Sequence, residues 1–115
     1  LSIYTFLTHK QDKCPKEFIS SDTNTESFMY LMGCTPEIPH KLTTITWNYN
    51  KQLLRELVEQ AFKGLIDSKA ITKKRLEKIV PKVFFNCKGD PINLTNNKHV
   101  DSNESDSIRD FFTNI

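Results

Sequence analysis

Eight apolar residues, Leu53, Leu54, Leu57, Val58, Ala61, Phe62, Leu65 and Ile66, recur at spacings of three and four, which places them on one side of a helix. That side is too wide to leave in water and needs a partner. The opposite side carries Lys51, Gln52, Arg55, Glu56, Glu59, Gln60 and Lys63, with Arg55–Glu59 and Glu59–Lys63 at the i,i+4 spacing of helix-surface ion pairs. Asn48 or Asn50 is placed to cap the start, so the pattern predicts a helix over 50–66. Asp67-Ser68-Lys69-Ala70 interrupts it. Thr72 then offers a cap hydroxyl to a second, shorter helix with Leu76, Ile79 and Val80 as its apolar residues. Pro81 has no amide hydrogen and crowds the preceding turn, so that helix is expected to end near Val80.

The rest of the chain supplies smaller elements. Alternation over Leu1-Ser2-Ile3-Tyr4-Thr5-Phe6-Leu7 suits a strand, and its end suits a short helix equally well. Residues 1–24 are otherwise polar and proline-broken, an amino-terminal extension with no fixed place in the pattern. Asn24 or Thr25 can cap a helix over about 25–32, and Gly33 can close it in a left-handed conformation. Leu42-Thr43-Thr44-Ile45-Thr46-Trp47 reads as a strand ahead of the long helix. A hairpin is expected over 83–95, with Lys88-Gly89-Asp90-Pro91 as its turn. Residues 96–107 are almost wholly polar and read as a linker, after which 108–115 is an apolar segment bearing Ile108, Phe111, Phe112 and Ile115. The expected class is therefore α+β, mainly helical, with a three-helix core over 25–95 and a small β-hairpin.

With 115 residues the chain fits one domain with a modest core, and it has no run of about 18 apolar residues to span a bilayer. Cys14, Cys34 and Cys87 are odd in number and far apart, which argues for a reducing compartment rather than a disulfide framework. With Leu1 as first residue and no secretion signal, the expectation is a domain of a longer intracellular protein, in the nucleus. The net charge of +2 hides an uneven distribution: nine basic residues stand against four acidic ones between Lys51 and Lys82, whereas Asp101, Glu104, Asp106 and Asp110 face Arg109 alone near the end.

No catalytic signature stands out, and the chain is expected not to be an enzyme. His9, Cys14, Cys34, His40, Cys87 and His99 lack the tight pairing of zinc ligands, so no metal is expected. The three glycines are scattered, which leaves no phosphate-cradling loop, no cofactor and no small-molecule substrate to expect.

The order helix, strand, helix, turn, helix, hairpin over 25–95 resembles the winged-helix fold. In DNA-binding members of that family the third helix enters the major groove; the resemblance would put Lys73, Lys74, Arg75 and Lys78 there, with Lys69, Lys82 and Lys88 on phosphates. The alternative is that these cations only solvate an amphipathic helix with Glu77 among them. Many winged-helix domains are protein-interaction or dimerisation modules, and the weak overall charge favours that use. The expected function is accordingly a non-enzymatic protein–protein interaction or dimerisation domain of a chromatin- or replication-associated protein, with direct DNA binding as the alternative. The tail, Ser105-Asp106-Ser107-Ile108-Arg109-Asp110-Phe111-Phe112, resembles the peptide that docks on the sliding clamp PCNA. That resemblance implies a partner-binding plug of Ile108, Phe111 and Phe112, though Ser105 stands where the family has Gln. The alternative is a terminal helix packed on the domain's own core.

Overall fold

The structure, a computed structural model, describes residues 3–94 and 101–113. It is α+β and mainly helical, with a two-stranded sheet. The elements run α1 (Ile3–Thr8), α2 (Thr25–Leu31), β1 (Ile45–Thr46), α3 (Lys51–Ala61), α4 (Lys63–Asp67), α5 (Lys73–Val83), β2 (Phe84–Phe85) and α6 (Asn103–Thr113).

Helix α3 is the centre of the core. Leu53, Leu54, Leu57 and Val58 are buried along it, and the Asn50 side chain accepts from the Leu53 amide at 2.9 Å. Such a cap is typically worth about 1 kcal/mol. Trp47 packs under this start: it is buried, its Nε1 donates to the Asn50 carbonyl at 2.8 Å, and its ring stacks on Phe18 at 5.7 Å. The helix expected through residue 66 breaks at Phe62, whose amide closes back on Val58 and whose backbone leaves helical angles before Gly64. The break moves Leu65 off the buried side, where it is 48% exposed.

Lys69 in the left-handed region turns the chain, and Thr72 Oγ1 accepts from the Arg75 amide at 3.1 Å to start α5. That helix does not stop at Val80. It passes through Pro81 to Val83, because a proline in the last turn forfeits one ladder hydrogen bond while the continuation buries Val83 beside the already buried Val80.

The sheet also departs from expectation. Helices α3, α4 and α5 form the crossover that brings β2 alongside β1 in parallel, Ile45 opposite Phe84 and Thr46 opposite Phe85. The hairpin expected over 83–95 is reduced to one antiparallel bridge, Phe85 to Pro91. Asn86 Oδ1 accepts from the Lys88 and Asp90 amides and tightens the turn; the Asn86 and Ile92 amides donate across the bridge to the Asp90 and Phe84 carbonyls, and the Phe84 amide that would extend the pairing donates to the Val80 carbonyl at the end of α5 instead. On its other side the β1 end bridges Ile19 through Trp47.

Residues 3–24 are therefore not an appendage. The helical alternative holds for residues 3–8, where Phe6 and Leu7 are buried. The Leu7 carbonyl accepts from both the Phe18 and Ile19 amides at 3.0 Å, holding two fully buried side chains in the core. The stretch expected as a linker through residue 107 enters α6 at Asn103, with Ser102 Oγ capping the Ser105 amide at 3.1 Å. Residues 96–100 lie outside the described residues.

Candidate interaction surfaces

The basic cluster is ordered by α5 itself. At 3.6 residues per turn Lys74, Lys78, Lys82 and Arg75 fall within an arc of about 100°, and all four are exposed. None has an ion partner among the described residues. Glu77, which sits among them in sequence, turns the other way to meet Arg55 at 2.8 Å. Lys73 goes with it, 3.6 Å from Glu59. Of the residues anticipated for DNA, Lys73 is thus engaged on the far flank, Lys88 lies in the turn after β2, and Lys69 lies in the turn before α5. Lys74, Arg75, Lys78 and Lys82 form the contiguous stripe.

Arg55 anchors the flank that the stripe leaves behind. Partial burial opposes its charge, but hydrogen bonds to Glu77 and Glu59, and their charges, outweigh that and hold the guanidinium above its ordinary range. It also donates to Glu59 at 3.3 Å and to the Leu94 carbonyl. One side chain thereby joins α3, α5 and the strand exit.

Ile108, Phe111 and Phe112 lie on α6, which packs along α3. Ile108 is fully buried, and Phe111 stacks on Phe6 with centroids 4.4 Å apart. Phe112 is half-buried against Phe111. On the same helix Ser105 Oγ and Arg109 Nε converge on Glu56 Oε1 at 3.2 and 2.8 Å, a polar seam that fixes α6 along α3. Ile108 therefore cannot enter a partner's pocket while α6 is seated. With α6 seated, Ile108 belongs to this chain's own core, as in the alternative of a terminal helix packed on the domain, and the half-buried Phe111 and Phe112 lie at the core's edge.

Among the described residues, two adjoining apolar wells open on the surface. One, of about 200 Å³, lies between the end of α2 and α5, walled by Leu31, Met32, Ile79 and Val83 over a floor of Val58 and Phe62. The second, about 390 Å³, shares Met32 and Phe62 and continues to Ile3 and Phe112. No carboxylate lines either well. Ile79, Leu31 and Met32 are half-buried at the edge of the core.

Among the described residues no group of three or more His, Cys, Asp or Glu is placed to hold a metal ion. Cys14 is buried with its Sγ 3.7 Å from Ser107 Oγ, while Cys34 and Cys87 are exposed; His99 lies outside the described residues. No helix among the described residues is long and apolar enough to cross a membrane. Comparison with protein-family models, with curated proteins and with solved structures returns no match for the chain.

Proposed function

We propose that this chain is a non-enzymatic protein-interaction module of a larger nuclear protein of the chromatin or replication machinery. The observation that carries the reading is the pair of adjoining apolar wells left open across α2, α3 and α5. A fold that has buried Ile108 from its own tail still leaves Leu31, Met32, Phe62, Ile79, Phe111 and Phe112 half-covered, and contiguous exposed apolar surface marks a contact site. The element order from α2 onward, helix, strand, three helices, strand, turn, is compatible with a winged-helix-like arrangement, with the short α4 and the parallel β1–β2 pairing as departures.

The test compares variants as bait. Proteins retained by the chain should be lost with Ile79→Arg, which places a charge on the wall of the first well, and kept with Leu42→Arg at a side chain already 56% exposed elsewhere. Retention unaffected by Ile79→Arg contradicts the reading. Direct DNA binding is the second reading, favoured by the Lys74, Arg75, Lys78 and Lys82 stripe. Phosphate contacts of that kind make affinity fall steeply between about 50 and 200 mM salt, whereas an apolar interface barely responds.

A further inference from the structure

We propose that the groove between α2 and α5 receives an amphipathic helix whose flank is acidic. This rests on the interaction reading above and names the chemistry of the partner.

Helix α5 has an apolar face and a cationic one. Its groove-facing residues are Leu76, Ile79, Val80 and Val83. Ile79 sits at the edge of that set, and at 100° per residue Arg75 and Lys82 follow it after about 40° and 60° of arc, with Lys78 beyond. The apolar wall thus passes directly into the cationic stripe. The stripe's charges are unspent: its members pair with no described carboxylate, because Glu77 and Glu59 are drawn to Arg55 and Lys73 on the opposite flank. The groove itself holds no negative charge to answer them.

The shape selects a helix as the guest. Two wells of about 200 and 390 Å³ share Met32 and Phe62 and so follow one another along the surface. Successive wells suit apolar side chains spaced at i, i+3 or i+4 and i+7, the anchors of a helix laid in a groove. With its apolar stripe seated, such a helix presents the residues beside that stripe to Arg75, Lys78 and Lys82. Asp or Glu there is attracted and Lys or Arg repelled, so charge sets partner choice while apolar contact supplies affinity. A duplex would use the same cations but have no use for Ile79 or Phe62, and that difference separates the two.

The experiment is a selection of displayed 15-residue helices on the intact chain, with apolar residues held at i, i+3, i+4 and i+7 and all other positions random. Expected winners carry at least a twofold excess of Asp and Glu over Lys and Arg beside the apolar stripe. A synthetic winner should bind at least tenfold more weakly to Ile79→Arg. It should also lose at least tenfold on the exposed double variant Arg75→Glu, Lys82→Glu, which leaves the packing intact and should gain affinity for the same peptide with Lys in place of its acids. Winners without charge bias that still depend on Ile79 would overturn the acidic partner and leave the interaction module standing. Winners indifferent to Ile79→Arg, or no enrichment over that variant, would overturn the groove as the docking site. Binding of a random DNA duplex that displaces every winner through Arg75 and Lys82 would assign the stripe to phosphate instead.

Discussion

Replacing Trp47 with Ala is expected to cost about 3–5 kcal/mol, the range for emptying a large aromatic site in a core. The ring is 1% exposed, so the substitution leaves a cavity that its surroundings fill only in part. Three supports go at once: stacking on Phe18 at 5.7 Å, edge contact with Phe84 at 6.4 Å, and the Nε1 bond to the Asn50 carbonyl. The last exposes the α3 start to fraying, because Asn50 is also its cap. Domains of this size hold about 5–15 kcal/mol in all, so the variant should melt more than about 10 °C lower or fail to fold. Circular dichroism during heating measures it, and a shift under about 3 °C would mean that Trp47 is not the keystone between β1 and α3.

Ile108→Ala carries the second large effect, about 2–5 kcal/mol. Ile108 is fully buried on α6 where that helix lies along α3, and its loss also loosens the seam in which Ser105 and Arg109 meet Glu56. Phe112→Ala should cost less, since its ring is only half-buried at the rim of the second well. The ordering Ile108 above Phe112 is the informative part. A tail that served chiefly as an external plug would give near-wild-type melting for both, and urea midpoints at constant slope would show it.

How far the chain could be read in advance follows from where the physics is local. Helices α2, α3 and α5 were legible, with Thr72 as one cap and Asn24 and Asn50 each as one of two candidates, because a capping side chain and a 3.6-residue apolar period act over a few neighbouring residues. Gly33 closes α2 at φ +75° as a residue without Cβ can. The parallel pairing of Ile45 with Phe84 was not legible, since it joins strands 39 positions apart through a crossover and leaves no local mark. Phe18 and Ile19 were hidden for a similar reason. They lie in a polar, proline-containing stretch, and only the Leu7 carbonyl and the bridge to Trp47 draw them into the core.

Pro81 shows a local rule losing to packing. The ring was expected to end α5, yet burial of Val83 beyond it outweighs one missing hydrogen bond near a helix end. The basic stripe was half legible. Its lysines were evident in the sequence, but the departure of Glu77 toward Arg55, which leaves four cations together, depends on α3 lying beside α5. The groove was not legible, since a side chain at the core's edge has the same sequence period as one at its centre.

Sedimentation equilibrium of the chain at about 50 and 200 mM salt, with and without a random DNA duplex, tests the central claim that α5 serves protein rather than phosphate. The expected mass ignores the duplex at both salts, with any self-association insensitive to ionic strength. A monomer that moves onto the duplex at low salt, and leaves it when Lys74, Arg75 and Lys78 are changed to Ala, would contradict it and make the stripe a DNA-binding surface.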